Sequence, residues 1–196
     1  MKDILILFSG PMICALLAGT KTQTRRIVQF PQNVDGIPDR IFPAPYAGYG
    51  TKGEFVPVNH FGGIATKPFH SHSFAAKWRV GQRLWVREGL VPNDNGIAVY
   101  AADGAYATQA DAEGKLYTHP WTWKVKSLSA RYMPRWACRI TLEVTGVSVD
   151  KLVTLNDNDA VAEGVKSKKE FIELWKQING KWQEDLWVWI VKFQRV

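Results

Sequence analysis

The sequence predicts a mainly β (α+β) domain: a small, partly closed β-barrel with a few flanking helices and two long loop insertions. Three observations carry this. Ala137 to Val149 alternates, with Cys138, Ile140, Leu142 and Val144 on one face and Arg139, Thr141 and Glu143 on the other, the period of a strand with one buried face. Leu186 to Phe193 is apolar on both faces, as a central, buried strand must be. Helical stripes are few and short. A chain of 196 residues suits one domain, 1–196, and 46% hydrophobic residues exclude a disordered one.

Taken in order, Ile4 to Phe8 reads as a short buried strand. Pro11 suits the first turn of a helix, where its missing N–H costs nothing. Met12, Ile13, Leu16 and Leu17 form that helix's apolar stripe, and Gly19 is a natural residue just past its end. An extended piece follows around Thr22 to Val28. Residues 29–77 hold Phe42-Pro43-Ala44-Pro45 and Gly48-Tyr49-Gly50 and read as a long insertion of loops and small strands. Gly81 then turns into a strand running to Glu88, and Ile97 to Ala102 is a further strand candidate. Residues 103–130 form a second irregular insertion. After the alternating strand, Asn156 caps a short helix with Leu155 as its staple, and Gly164 ends it. Glu170 to Ile178 is a helix with Phe171, Leu174, Trp175 and Ile178 on one face, stopped by Asn179-Gly180.

Lys and Arg number 25 against 18 Asp and Glu, a formal charge of +7. Such an excess favours polyanionic partners. Nine Trp, nine Phe and six Tyr supply core, stacking surfaces or both. Cys14 and Cys138, the only cysteines, read as two buried thiols in a reducing compartment. The start lacks the basic region and cleavage site of a secretory signal. No stretch approaches the roughly 20 apolar residues of a membrane span, so no membrane partner is expected and the location expected is cytoplasmic. His60, His70 and His72 suggest a metal, but without a third ligand they read as surface loop residues, and no metal site or cofactor is predicted. Phosphate-binding glycine loops are absent.

The densest chemistry is Gly19-Thr20-Lys21-Thr22-Gln23-Thr24-Arg25-Arg26. It holds more polar groups than a helix-to-strand connection needs. The motif resembles the G-x-K-x-x-x-R signature of the ASCH domain, a PUA-like β-barrel superfamily. Gly81-Gln82-Arg83-Leu84-Trp85-Val86 looks like that family's Gly-Asp-x-Leu turn and strand, and Asp159-Ala160-Val161-Ala162-Glu163-Gly164 like its A-x-x-E helix. Leu84 to Glu88, Met133 to Trp136 and Trp187 to Trp189 further resemble stretches of ASCH-containing proteins from bacteriophages and prophages. The resemblance covers the two ends and scattered middle segments, and the insertions have no counterpart in the minimal domain.

It implies a barrel cleft that binds RNA, single-stranded nucleic acid or a modified nucleotide. Some small members resemble amidohydrolases that remove the acetyl group of N4-acetylcytidine, with the chemistry at positions matching Lys21, Thr24 and Glu163. That assignment is chemically sensible. A Thr hydroxyl needs a base, and Lys becomes one only when burial or nearby cations lower its pKa. Arg25 and Arg26 supply positive charge. The plainer alternative is a solvated Lys21, with Thr22 and Thr24 as strand residues and both arginines on phosphate oxygens.

A second candidate binding group is Trp85, Arg87 and Glu88, with Arg135 beside Trp136 as a third basic–aromatic pair. Trp85 either stacks a base while Arg87 holds a phosphate, or packs as core. Trp136, Trp187 and Trp189 read as core. Three functions follow from these readings: a nucleic-acid or modified-nucleotide binding module, an amidohydrolase, or a phage accessory protein whose insertions contact a protein partner.

Overall fold

A computed structural model describes residues 3–30, 40–43, 54–58 and 74–196. Strand β1 (Ile4–Leu7), helix α1 (Gly10–Leu17) and strand β2 (Gln23–Ile27) come first. Within the first insertion, β3 (Arg40–Pro43), β4 (Glu54–Val58) and β5 (Phe74–Ala75) pair into a small antiparallel sheet. Then come β6 (Arg83–Arg87), β7 (Leu90–Pro92) and β8 (Ala98–Tyr100). The second insertion is not wholly irregular: β9 (Thr108–Ala110) and β10 (Leu116–Thr118) form a hairpin. The chain closes with β11 (Thr141–Lys151), α2 (Asp157–Ala162), α3 (Lys168–Asn179) and β12 (Trp187–Arg195).

The fold is mainly β with few helices, as the composition of strands predicts. Its main sheet has the order β1-β6-β11-β12-β2, parallel between β1 and β6 and antiparallel elsewhere. Among the described residues its ladders leave β1 and β2 as edges. β12 lies between β11 and β2, which explains why Trp187, Val188, Trp189, Val191 and Phe193 are all buried.

The alternation that announced β11 holds where it matters. Ile140, Leu142 and Val144 have no exposed surface. The pattern breaks at a bulge between Val144 and Gly146, and beyond it β11 follows β12 alone. Ahead of β11, Arg135–Ala137 forms a 3-10 turn, so the strand starts later than the sequence suggests. The half-buried Cys138 therefore precedes it.

Helix α1 lays Met12, Ile13 and Leu16 on the sheet, against Leu84, Val86, Leu142 and Val191. Each such side chain removed from water stabilises by about 1.5–3 kcal/mol. Cys14 departs from expectation: it faces outward on α1 and is exposed, because the buried stripe passes through Met12, Ile13, Ala15 and Leu16. Both thiols are free. A second apolar cluster joins Leu90, Tyr100, Ala107, Leu128 and Met133 beneath the second insertion. A third joins Leu152, Leu155, Phe171, Trp175 and Val188 under α3. Among the described residues no helix is long and apolar enough to cross a membrane.

Candidate functional site

The Gly19–Arg26 motif is fixed at three points. Gly19 takes φ 75°, the left-handed turn that ends α1. The amides of Thr20 and Lys21 both donate to the Ala15 carbonyl, at 3.0 and 3.1 Å. Thr22 donates from its amide to Ala162 O at 2.8 Å, and its carbonyl accepts from Phe193 N at 2.9 Å. The start of β2 is thus held between the end of α1, the end of α2 and strand β12.

Helix α2 presents the opposing acids. Asn156 caps it in a reciprocal box: its side chain accepts from Asp159 N at 2.9 Å, and Asp159 Oδ2 accepts from Asn156 N at 3.3 Å. Asp159 and Glu163 lie four residues apart, on one face of the helix, and both meet β2. Lys21 Nζ donates to Gln23 O at 2.9 Å, to Glu163 O at 2.7 Å and to Glu163 Oε2 at 3.2 Å. Arg25 reaches Glu163 Oε1 and Asp159 Oδ2, each at 3.1 Å. Gln23 Nε2 donates to the Asp159 carbonyl and to Asp159 Oδ1, each at 3.3 Å.

Lys21, Thr24, Arg25 and Glu163 are all buried. The solvated-Lys21 alternative therefore fails. Burial lowers the Lys21 ammonium below its ordinary pKa, opposed by the Glu163 charge. Burial likewise raises the Glu163 carboxyl, opposed by Lys21 and Arg25. Arg26, half-buried, is lowered by burial and donates to Leu7 O at 3.1 Å, linking edge strand β2 to edge strand β1. Phe8 lies beneath both cations, its ring centre 5.3 Å from Lys21 Nζ and 5.4 Å from the Arg26 guanidinium. Thr22, by contrast, is exposed.

A cleft of about 540 Å³ opens where the two sheet edges approach each other. β1 from Leu5 to Ser9 and β2 from Thr24 to Ile27 form two walls, and Glu163 is at the polar end. Trp78, Met12 and the α3 residues Phe171, Leu174, Trp175 and Ile178 supply the apolar end. Lys21 sits behind this lining, in contact with Glu163. The structure therefore assembles Lys21, Thr24, Arg25, Arg26 and Glu163 at one place. Sequence reading missed Gln23, Asp159, Phe8 and Trp78 as parts of it. The four-residue spacing of Asp159 and Glu163 was a usable signal for Asp159. Nothing in the sequence marks Trp78, which reaches the cleft through tertiary packing alone.

The other candidates form a separate group on β6. Trp85 is buried and shares a strand face with Arg87, whose guanidinium lies 4.4 Å from its ring centre. Arg135 lies over the same ring at 5.0 Å and pairs with Asp3 at 2.8 Å. Arg87 also donates to the Arg131 carbonyl. Glu88 is buried and held by both arms of Arg139, at 2.9 and 2.7 Å. Arg139 in turn binds Asp103 and stacks on Tyr100 at 3.7 Å. Trp136 is half-buried and stacks on His119 at 3.7 Å. Among the described residues no group of His, Cys, Asp or Glu could hold a metal ion. His60, His70 and His72 lie outside the described residues. No known family model, curated protein or solved structure matches the chain.

Proposed function

We propose that the cleft between β1, β2 and α3 binds a nucleoside or nucleotide, free or carried on single-stranded RNA, as an ASCH-type member of the PUA-like barrels would. The observation that carries this reading is one cleft of nucleoside size, about 540 Å³, with aromatic side chains at one end and buried charges at the other. Phe171 and Trp175 offer π surfaces to a base. Arg25 and Arg26 make the polar end positive, and the chain's +7 charge favours an anionic partner. The Arg26 side chain, which spans the β1 and β2 edges, supports the same barrel reading.

One observation favours hydrolysis of an acylated nucleoside as a second reading. Thr24 Oγ1 is buried without a hydrogen-bond partner, beside a depressed lysine and an elevated carboxyl. In that chemistry the Thr24 oxygen bonds to the acyl carbon while Lys21 takes the hydroxyl proton. The C–N bond breaks, the leaving amine receives a proton from Glu163, and water then cleaves the threonyl ester. All three Lys21 protons have acceptors in the structure, so acting as base requires Nζ to release one. Binding is therefore the primary reading.

The test is calorimetric titration with N4-acetylcytidine, cytidine and a short single-stranded RNA at two salt concentrations, with chromatography for released cytidine. Binding of at least one ligand is expected, with RNA affinity falling as salt rises. No binding of any of them at low salt overturns the reading. Turnover by the parent that Thr24→Val abolishes supports hydrolysis, and absence of turnover removes it.

A further inference from the structure

Residues 115–136 carry five cations, Lys115, Lys124, Lys126, Arg131 and Arg135, and no Asp or Glu. The chain's net charge is +7, so this one stretch accounts for five of it. All five side chains are exposed. Among the described residues only Arg135 of the five has an ion-pair partner, Asp3 at 2.8 Å. Like charges gathered on a surface repel one another, and an anion laid across them relieves that repulsion.

The same stretch holds His119, Trp121, Trp123 and Trp136, all half-buried. Their rings meet in series. Trp121 is 4.7 Å from Trp123, Trp123 is 6.5 Å from Trp136 with the planes 18° apart, and Trp136 stacks on His119 at 3.7 Å. Backbone bonds fix the series: Trp121 N donates to Gly96 O at 2.7 Å, and Ala98 N to His119 O at 2.8 Å. Trp121 Nε1 donates to Val125 O at 2.9 Å, which folds the turn carrying Lys124 and Lys126 back beside the rings. The three tryptophans rest on the cluster of Leu90, Tyr100 and Met133 and keep part of each ring in water, unlike the buried Trp175, Trp187 and Trp189. Arg135 adjoins Trp136 and shares the Trp85 ring with Arg87, which donates to the Arg131 carbonyl. Cations and flat rings thus border one another, and none of these residues lines the cleft.

We propose that this face is a second binding surface, separate from the cleft, for a single-stranded polynucleotide. A protein partner is the poorer match, because lysine is depleted in protein interfaces whereas nucleic-acid interfaces are strongly positive. A duplex is poorer too. It hides its base faces in its own stack, while a single strand presents them to half-exposed rings. Phosphates meet the lysines and arginines, and bases stack on Trp123 and its neighbours. The proposal does not depend on what the cleft holds.

The experiment follows the fluorescence anisotropy of a labelled oligouridylate over a range of salt concentrations. It uses the full chain, the double variant Lys124→Ala with Lys126→Ala, and Trp123→Ala, each checked for folding by circular dichroism. The double variant should bind about tenfold more weakly at low salt, and its slope of log affinity against log salt should flatten by about 0.7 for each lysine removed. Trp123→Ala should lose about tenfold on oligouridylate and hardly change on heparin, a polyanion without bases. A duplex of the same length should bind about tenfold more weakly than the single strand. No binding of oligouridylate at low salt, binding that both variants leave unchanged, or a duplex bound as tightly overturns the proposal. Both lysines are exposed, so their variant keeps the test decisive if Trp123→Ala fails to fold. Uridine and cytidine, titrated on the same three proteins, report on the cleft and should bind all three alike. A parent that binds oligouridylate but neither nucleoside removes the nucleoside cleft and leaves this surface standing. A parent that binds a nucleoside but no oligouridylate does the reverse.

Discussion

Glu163 carries two obligations at once, because its two carboxylate oxygens face two different cations, Lys21 at 3.2 Å and Arg25 at 3.1 Å. Removing one partner of a buried ionic set leaves the others uncompensated, which costs about 3–5 kcal/mol. Glu163→Ala should destabilise by that amount in urea denaturation. The double change Lys21→Met with Glu163→Leu should cost clearly less, since Arg25 keeps Asp159. Equal losses would mean the three groups do not act as a set. Away from the cleft, burial pushes the Tyr100 phenol up to about 12, from an ordinary value near 10. Below pH 10 it is protonated in folded and unfolded chains alike. Above that the unfolded chain releases its proton first, so stability falls as pH rises from about 10 to about 12, by on the order of 2 kcal/mol. Tyr100→Phe should flatten that part of the stability–pH curve, measured by chemical denaturation. At this scale Lys21, Thr24 and Arg25 were legible because unusual polar residues crowd one segment, and Glu163 only through the A-x-x-E resemblance. Trp78 was not, because the wall that a tryptophan joins is a property of its surroundings.

Gly164 shows how one residue positions whole elements. It ends α2 with φ 90°, and a Cβ there would come within 2.8 Å of Ala15 Cβ and 3.2 Å of Lys21 Cβ. The turn after α2 is thus pressed against both α1 and the start of β2, and that close approach sets Glu163 over Lys21. Gly164→Ala should cost about 2–4 kcal/mol, combining left-handed strain with overpacking, and should weaken ligand binding in the cleft. Gly96→Ala is the control: its φ is 69° and nothing lies within 4 Å, so only about 1–2 kcal/mol of strain applies. Comparable losses in thermal denaturation would show that the packing at Gly164 is not what matters. Helix α3 and strand β11 were readable from period, and β12 from its unbroken apolar run. The ends of β11 were not, since the 3-10 turn before it and the bulge within it arise from contacts with other elements.

Across the described residues, the predominance of strands over helices was legible, and the pairing order was not. Alternation says that a strand has a buried face without naming its neighbour. The order β1-β6-β11-β12-β2 sets Thr24 beside Val191, and Lys21 meets Glu163 across 142 positions of sequence. Loop closure over such spans is slow relative to local pairing. Hairpins β7–β8 and β9–β10 therefore have the means to form early, from neighbouring residues alone. Among the described residues β2 pairs with β12 alone, and β12 follows every other strand of that sheet in the sequence. Until β12 has been made, a growing chain carries β2, with the threonine and arginine it will later bury, without that partner. The cleft is accordingly a late product of folding, and an incompletely synthesised chain holds all the residues of its polar end without the sheet that brings them together.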